Sequence, residues 1–324
     1  MERFYKLSVP NVKEKIRIDK YIARFIENVS RTKVQKAINL GFVTVNGNCV
    51  KSNYIVKPFD DIEIELPAAE KQEILPENIP LDILYEDEYL IVINKPAGMV
   101  THPAYKNFSG TLVNALMFYS QKSGDKLSDL NGFERAGIVH RLDKDTSGIL
   151  VVAKDEVTHR LLADQFYNHT INREYTALVW GILHKKNDVI SKPIGRDKRD
   201  RTKMAIVNEE EGKLAITEYN VIEEYEFLSL VKLKLRTGRT HQIRVHMSSI
   251  GHPVFGDETY NGRKPHSVNM TVKIKEKINH LLELMPRQAL HASLLGFVHP
   301  KSKSYIEFKS DLPDDIKNIL NIIK

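Results

Sequence analysis

This sequence of 324 residues has one cysteine, Cys49, and one tryptophan. A lone cysteine forms no internal disulfide and supplies no cysteine cluster for a metal, a usage typical of reducing compartments. We expect Cys49 to be a small core residue. No segment reaches the ~20 apolar residues that span a membrane, and the first ten residues lack the apolar run of a signal peptide. The composition therefore predicts a cytoplasmic protein without membrane segments.

Missing motifs exclude further classes of site. No G-x-G-x-x-G follows a predicted strand and no G-x-x-x-x-G-K-[ST] occurs, so a standard dinucleotide or ATP site is not expected. The G-x-S-x-G nucleophile elbow and the metal patterns H-E-x-x-H and C-x-x-C are absent too. Five histidines remain as possible ligands: His140, His241, His246, His252 and His291. Because they lack the spacing of a metal site, we interpret them as structural residues or nucleic-acid contacts, and we do not expect a metal ion.

Positive charge is concentrated near the N-terminus. The whole chain has a formal net charge of +6, whereas residues 1–59 alone carry 12 Lys/Arg against 4 Asp/Glu, a net +8. Arg31, Lys33 and Lys36 lie on or beside a predicted helix, whose N-terminus also favours phosphate. A single lysine of this kind is usually a solubilising side chain, but the cluster predicts contact with an RNA or DNA backbone.

Residues 1–66 have the pattern of a small α/β domain. Apolar residues at helical spacing predict a helix over 16–26, and Ser30 is a suitable N-cap for a second helix over 31–40. Short strands follow, beginning around an Asn-Gly turn at 46–47. The sequence thus predicts two helices followed by short strands.

Residues 67–80 contain three prolines and no hydrophobic periodicity, so we interpret them as a linker to a second domain, residues 81–324. Strands predominate in this domain, separated by turns and a few helices rather than by regular crossover helices. That pattern predicts an α+β fold with a mainly antiparallel or mixed central sheet, not a doubly wound nucleotide-binding fold. It also predicts a helix over 156–168 with Val157 on its core face, and an exposed basic loop at 192–203.

One polar stretch lies between two apolar runs. Residues 137–139 and 149–153 are predicted strands, and the loop between them carries Arg141, Asp143 and Asp145. Functional loops are usually mounted on such a rigid frame. A solvated, salt-bridged turn explains the same composition, so the loop alone does not establish a site.

Asp143 is the residue of this loop best placed for chemistry. A partly buried carboxylate stays ionised only if a cation or hydrogen-bond donors compensate for its desolvation. Arg239 and Arg244, from the acid-free segment 236–247, are the candidates for that cation. An ionised, partly desolvated aspartate can act as a nucleophile or a base. Spacing alone does not distinguish such a group from a structural ion pair.

Six motifs of the second domain resemble, in their order, those of the RluA family of pseudouridine synthases. They are residues 94–103, 140–154, 173–181, 236–247, 251–262 and 289–300, within a matching region of about 80–313. The central motif, HRLDKDTSGILVVAK, is long and highly specific. Residues 30–47 resemble the alpha-L type RNA-binding domain that is shared with a small-subunit ribosomal protein. Met99 and Asn261 depart from the family pattern, but neither touches the implied chemistry.

The resemblance implies a pseudouridine synthase fold, a reaction and a partner. The chain is most similar to members that act on large-subunit rRNA, where uridine is isomerised by cleavage of its bond to nitrogen 1 and rejoining at carbon 5. Neither metal nor cofactor is required. A base must leave the RNA stack before its sugar can be attacked, which implies base flipping. RNA is therefore the expected partner, and we expect a monomer.

The resemblance also implies roles for individual residues. Asp143 matches the family's essential aspartate, which acts on the ribose as a nucleophile or a base. Tyr175 matches the tyrosine that contacts uracil and assists proton transfer at carbon 5, and Arg244 matches the basic partner of the aspartate. Arg141 matches the residue that fills the gap left by the flipped uridine, as a flat guanidinium can. Arg239 is expected to contribute to RNA binding.

Each of these residues also has an explanation that does not involve catalysis. Tyr175 on a strand is often a core residue, Arg244 can be a phosphate clamp, and Arg141 can pair with Asp145. A non-catalytic RNA-binding or ribosome-assembly protein would use the same basic surfaces. A deaminase or hydrolase acting on flipped bases is less consistent with the sequence, because the H-x-E and P-C-x-x-C zinc signature is absent.

Overall fold

The computed structural model describes residues 3–11, 15–26, 29–66, 74–103, 107–265 and 271–324. The chain divides into two compact units, Met1–Glu73 and Ile74–Lys324. Among the described residues, no helix combines the length and the apolar character needed to cross a lipid bilayer.

The first unit packs two helices against a four-stranded antiparallel sheet. Its elements are β1 (Arg3–Ser8), α1 (Ile18–Phe25), α2 (Arg31–Asn39), β2 (Val43–Val45), β3 (Asn48–Cys49) and β4 (Asp61–Leu66). The strand order is β1-β4-β2-β3. Apolar side chains of the helices, such as Ile22 and Val34, form one core with Ile62 and Ile64 of β4. The predicted helices and following strands are confirmed, whereas β1, which precedes them, was not predicted.

Local chemistry explains the boundaries in this unit. Ser30 caps α2, since its side chain accepts a hydrogen bond from the Lys33 amide. Asn46 and Gly47 have φ values of 50° and 77°, which match a tight turn between β2 and β3. Cys49 is exposed, so its predicted core position is wrong. Both residues of the short edge strand β3 face solvent.

The second unit contains eleven further strands and five further α-helices among its described residues. The first half comprises β5 (Ile83–Glu86), β6 (Leu90–Lys95), α3 (Leu112–Ser123), β7 (Ser147–Ala153), α4 (Glu156–Tyr167), β8 (Asn172–Trp180), β9 (Asn187–Ser191) and β10 (Ile194–Arg196). The second half comprises β11 (Met204–Ile206), β12 (Ile216–Glu224), β13 (Leu228–Leu235), α5 (Gln242–Ser249), α6 (Val272–Leu284), β14 (Leu290–Val298), β15 (Tyr305–Lys309) and α7 (Asp314–Ile323).

Nine of these strands form one mixed sheet. The order is β5-β6-β7-β14-β8-β13-β12-β9, with β15 also paired to β14. The β7–β14 pairing is parallel, and the other pairings in the sheet are antiparallel. The predicted α+β fold with a mainly antiparallel or mixed sheet is therefore confirmed. The pairing of β14 with both β7 and β8 places the central loop, which precedes β7, beside β8.

Both faces of the sheet are covered, which explains why every residue of β7 is buried instead of every second one. Leu150 and Val152 share a core with apolar residues of α3 and α5. Ile149 and Val151 point to the opposite face, where they pack with Leu162 of α4. The far end of β8 packs against α6 and α7.

The apolar run before the central loop is not a strand. Within residues 137–139, Ile138 forms an isolated bridge to Val152. Gly137 has a φ of 70°, and a Cβ at this position would lie 2.5 Å from a Val152 side-chain atom. The chain therefore turns tightly against β7 instead of running along it, and the predicted strand is wrong.

Two other local predictions are also corrected. Asp155 caps α4 as expected by accepting from the amides of Val157 and Thr158, but the Val157 side chain is 63% exposed. The buried face of α4 starts one residue later, at Thr158. The predicted basic loop at 192–203 includes β10, which pairs with β11 as a hairpin, and Ile194 is buried. The basic side chains surround the tip of this hairpin.

The predicted linker has two parts. Residues 67–73 lie outside the described residues. Residues 74–80 belong to the second unit, where Asn114 of α3 donates to the Leu75 carbonyl and the Asn114 carbonyl accepts from the Glu77 amide. Ile74 and Ile79 pack on the core beneath them.

Candidate active site

A cavity of about 680 Å³ opens where the central loop meets the start of α5. Its walls come from residues 139–143, from residues 238–244, and from Arg173 and Tyr175 of β8. The predicted site residues that line it are Asp143, Tyr175, Arg244, Arg141 and Arg239. Arg31, Lys33 and Lys36, the remaining predicted residues, belong to the first unit. The fold thus brings together residues from three separate sequence motifs.

The backbone on both sides of Asp143 is fixed by buried side chains. Thr101 Oγ1 donates to the Leu142 carbonyl over 2.9 Å, and Lys95 Nζ donates to the Lys144 carbonyl over 3.1 Å. Leu142 itself is packed into the core. The Asp143 side chain remains 21% exposed and lies at the cavity. The loop therefore presents one carboxylate in a fixed position.

Lys95 was not predicted to have a role, because its sequence position is typical of a turn. Its side chain is fully buried, and Nζ also donates to the Pro96 and Met99 carbonyls, over 2.6 and 2.9 Å. Burial lowers the pKa of Lys95 to about 7, whereas the carboxylates of Asp145 and Asp143 act to raise it. Three carbonyl acceptors require three N–H donors, so the ammonium form is the one that satisfies this site.

Arg244 is the cation that accompanies Asp143. Its Nη1 donates to Asp143 Oδ2 over 3.0 Å, while Nε and Nη2 donate to the two oxygens of Asp257 over 2.6 and 3.0 Å. The guanidinium also lies over the Tyr260 ring, 4.9 Å from its centroid. Burial lowers the pKa of Arg244, but the two carboxylates outweigh this effect and the net pKa is raised. Arg239 lines the same cavity and donates to the Leu214 carbonyl over 3.2 Å instead.

Asp257 is a site residue that sequence reasoning missed. It is fully buried in the turn after Gly256 and accepts from the amides of Thr259 and Tyr260 over 2.9 and 3.1 Å. The motif at 251–262 contained it, but nothing in the spacing connected it with Arg244. A buried arginine that pairs with one carboxylate through a single nitrogen needs further acceptors for its other N–H groups, and Asp257 provides them.

Tyr260 determines which nitrogen of His241 carries the proton. The Tyr260 hydroxyl accepts from the Met204 amide over 3.0 Å and lies 2.8 Å from His241 Nδ1. No other acceptor for this hydroxyl occurs in the described part of the chain, so the hydroxyl donates its hydrogen bond to His241 Nδ1. The neutral ring of His241 therefore carries its own proton on Nε2. Burial lowers the pKa of His241, which favours the neutral ring. Its Nε2 lies 3.9 Å from Asp143 Oδ1 and presents a donor to that carboxylate.

Tyr175 lines the cavity from β8. Its side chain is buried, and burial raises the pKa of its hydroxyl, as does Asp143, whereas Arg173 opposes the shift. In the described ranges, no hydrogen bond is formed by this hydroxyl. The phenol therefore stays protonated at neutral pH and is available to a molecule in the cavity.

The predicted RNA-binding residues have different environments. Arg141 is exposed at the cavity, and within the described residues it forms no ion pair with Asp145. Arg31 is occupied, since it pairs with the fully buried Asp19 over 2.9 Å. Lys33 and Lys36 are exposed on α2. No cluster of His, Cys, Asp or Glu suited to a metal occurs in the ranges that the structure describes.

Comparison with known proteins identifies the family. Residues 89–249 match the model for RNA pseudouridylate synthases, and residues 16–62 match the S4 domain. An RNA pseudouridine synthase of Bacillus subtilis is 44% identical over 308 residues, which cover 95% of this chain and 94% of the relative. The chain belongs to the RNA pseudouridine synthase family. A ribosomal large subunit pseudouridine synthase D of Zymomonas mobilis is 41% identical over 312 residues, covering 95% and 93%.

Solved structures of pseudouridine synthases share the fold. Human RNA pseudouridylate synthase domain containing 4 aligns with a TM-score of 0.59 at 24% identity, covering 75% of this chain and 92% of that one. The predicted RluA-type synthase with an N-terminal RNA-binding domain is confirmed, and so is the prediction of an isomerase that acts on RNA. These relatives do not support the rival prediction of a non-catalytic RNA-binding protein.

Proposed function

We propose that this pseudouridine synthase modifies specific uridines of large-subunit ribosomal RNA. Two observations support that substrate: relatives named for the ribosomal large subunit align over nearly the whole chain, and an S4 domain precedes the catalytic unit. The Asp143 carboxylate, held by Arg244 at the wall of the cavity, is the single observation that carries the catalytic assignment.

Asp143 acts on the ribose of a uridine that has flipped into the cavity. Either it attacks the anomeric carbon as a nucleophile or it removes a proton from the neighbouring carbon as a base, and both routes break the bond to nitrogen 1. The uracil then turns and carbon 5 bonds to the anomeric carbon. On the first route this step breaks the ester between Asp143 and the anomeric carbon, and on the second route Asp143 returns the proton to the neighbouring carbon. The proton that leaves carbon 5 is balanced by one gained at nitrogen 1. No atom is gained or lost, as an isomerisation requires.

Neighbouring residues make this chemistry possible. Arg244 pairs with the Asp143 carboxylate and orients it in a site from which the RNA excludes water. Tyr175 contacts the uracil and assists proton transfer at carbon 5, a role consistent with a protonated hydroxyl free of other partners. Arg141, exposed at the cavity, occupies the gap left in the RNA, and Arg239 contributes to backbone binding.

The first unit supplies additional affinity for RNA. In this proposal residues 1–66 are the RNA-binding domain and residues 81–324 the catalytic domain. Lys33 and Lys36 contact phosphates, while Arg31 contributes less because Asp19 already neutralises its charge. We further propose that the enzyme is cytoplasmic and acts as a monomer. Light scattering coupled to size-exclusion chromatography checks the monomeric state directly.

Tritium release tests the catalytic assignment. Large-subunit rRNA transcripts labelled with tritium at uridine carbon 5 lose the label when pseudouridine forms. We expect release with the unmodified protein and none with Asp143→Asn, which should still bind the RNA. Asp164→Asn is the matched control, because it removes an exposed carboxylate on α4 that does not line the cavity, and it should retain activity. If no tritium is released from any cellular RNA, the proposed reaction is refuted. Sequencing of pseudouridines in a strain that lacks the protein identifies the modified uridine.

A further inference from the structure

Arg173 lies two residues before Tyr175 on β8, so both side chains point to the same face of the sheet and line the same cavity. Arg173 is only 9% exposed, and its Nε is buried without a hydrogen-bond partner. Within the described residues its guanidinium forms no ion pair. The guanidinium instead lies over the ring of Phe166, whose centroid is 5.5 Å from the guanidinium carbon.

The other buried arginines of the second unit have carboxylate partners. Arg244 is bound by two carboxylates, and Arg287 by the carboxylate of Asp315 and by backbone carbonyls. A guanidinium that is buried without an anion destabilises the folded protein, because its desolvation is not compensated. The fold therefore maintains an unpaired positive charge at the cavity wall.

Nearby acidic residues are not available to Arg173. Glu174 lies on the opposite face of the sheet and pairs with Lys232 over 3.2 Å. Asp143 and Asp257 are both engaged by Arg244. The anion that matches Arg173 must therefore enter with the substrate.

The surroundings of Arg173 leave room for its guanidinium and add no competing charge. Gly238 faces it, and a Cβ at that position would lie 3.0 Å from Nη1, tighter than most contacts of that type. The ring of His140 stacks on that of Phe166, with 4.3 Å between the ring centroids. Burial lowers the pKa of His140 to about 3, so this ring is neutral. A planar, bidentate donor is thus presented to the cavity on an aromatic support.

Uracil and ribose are neutral, so the anion of an RNA substrate is its phosphodiester group. We propose that Arg173 binds a backbone phosphate directly next to the flipped uridine, and thereby positions the ribose against Asp143. This inference rests on the proposed function, because it assumes that the cavity receives a uridine of RNA. It assigns to Arg173 a binding role distinct from the ion pair of Arg244.

Arg173→Met tests the proposal, since it removes the charge and keeps much of the volume. Lys232→Met is the matched control, because it removes one positive charge from the neighbouring strand on the opposite face. Arg173→Lys keeps the charge without the planar donor and should recover part of the activity. Thermal unfolding of the free protein comes first: we expect Arg173→Met to unfold at the same or a higher temperature, whereas a clearly lower temperature would indicate a structural arginine and overturn the proposal.

RNA binding gives a measurement that does not depend on catalysis. With a large-subunit rRNA transcript, Arg173→Met should lower the slope of log affinity against log salt by roughly 0.7–0.9, the value expected when one phosphate is no longer neutralised by the protein. Lys232→Met should leave the slope unchanged. An unchanged slope in Arg173→Met would contradict the phosphate contact even if the enzyme proves active.

Substrate analogues then locate the phosphate. An RNA oligonucleotide carrying the target uridine is prepared with a single neutral methylphosphonate on either side of that uridine. For the unmodified protein we expect one of the two to lower kcat/KM about 10- to 100-fold, the loss of a charged hydrogen bond. Arg173→Met should have a similarly lowered kcat/KM with the normal oligonucleotide, and the methylphosphonate analogue should not lower it further. The proposal is refuted if the losses of kcat/KM caused by Arg173→Met and by the methylphosphonate multiply at both positions of the analogue. If Arg173→Met lowers the salt slope but the unmodified protein does not isomerise uridine, only the proposed reaction is refuted.

Discussion

Asp257 holds the guanidinium of Arg244 through two hydrogen bonds, of 2.6 and 3.0 Å, and so leaves Nη1 directed at Asp143. Asp257 is fully buried, and its Oδ1 also accepts from the backbone amides of Thr259 and Tyr260. The carboxylate that is proposed to react is therefore oriented by a second carboxylate that the solvent does not reach. Arg244 connects the two, and its orientation depends on both.

Replacement of Asp257 tests this arrangement. Asp257→Asn leaves Arg244 buried with one of its two anions removed, so we expect the free energy of unfolding to fall by about 3 kcal/mol. We also expect kcat/KM to fall roughly 10- to 100-fold, because a small displacement of Arg244 misplaces Asp143. Urea unfolding and initial rates measure the two effects. Glu258→Gln, an exposed neighbour, is the control, and equal behaviour of the two variants would argue against a positioning role.

Tyr175 and Tyr260 offer a matched pair of hydroxyl deletions. Tyr175→Phe removes a hydroxyl that makes no hydrogen bond in the described structure, so stability should change by less than about 0.5 kcal/mol. Its kcat should nevertheless fall about 100-fold if the hydroxyl assists proton transfer, with KM little changed. Tyr260→Phe breaks contacts to His241 and Met204 and should cost about 1–2 kcal/mol of stability. A Tyr175→Phe enzyme with full kcat would exclude the proposed role.

Much of the site was predictable because its residues lie in motifs with distinctive chemistry. Asp143 and Arg244 are 101 positions apart. The need of a partly buried carboxylate for a cation left Arg239 and Arg244 as candidates, and the resemblance to a family selected Arg244. The resemblance to a family added Tyr175 to that pair. The structure places all three at one cavity.

The remaining features depend on contacts that no local pattern encodes. Lys95 is 49 positions from the carbonyl of Lys144 that it binds, so its burial is set by how β6 and the central loop pack together. Arg173 could be recognised as unpaired only once the partners of Glu174 and Asp257 were known. The strand predicted at 137–139 failed for a local reason, the positive φ of its glycine, which β-propensity does not capture.

Lys95 supports the loop that carries Asp143, and its removal tests how much that support matters. Lys95→Met leaves three carbonyls without their donor, and each buried acceptor left unpaired costs about 1–3 kcal/mol, partly offset by the loss of a buried charge. We expect a net decrease in stability and a fall in kcat of at least about 10-fold, because the Lys144 carbonyl loosens next to Asp143. Lys144→Met, an exposed side chain in the same loop, is the control. Unchanged kcat in Lys95→Met would show that Thr101 and the core suffice to fix the loop.

His291 makes stability depend on pH. Burial lowers its pKa from 6.5 to about 4, and Arg287 adds to the shift, whereas the Ser310 backbone, Asp315 and Asp311 oppose it. The unfolded chain binds a proton between these two pH values and the folded protein does not, so stability is complete above pH 6.5 and falls as the pH drops. The slope is at most about 1.4 kcal/mol per pH unit for one group. His291→Gln should make the decline between pH 6.5 and 4 shallower in urea unfolding; an identical decline would contradict this assignment.

The basic residues of α2 should separate into two classes. Asp19 is fully buried and is held by Arg31 together with Arg17 and Gln35, so Arg31→Ala should destabilise the first unit by roughly 1–3 kcal/mol. Lys33 and Lys36 are exposed, and their joint replacement by alanine should leave stability nearly unchanged. The joint variant should instead lower the salt dependence of RNA binding, by up to about 0.7–0.9 for each phosphate that these lysines neutralise. A salt slope equal to that of the unmodified protein would mean that α2 does not contact the RNA backbone through these lysines, and that the S4 domain binds through another face.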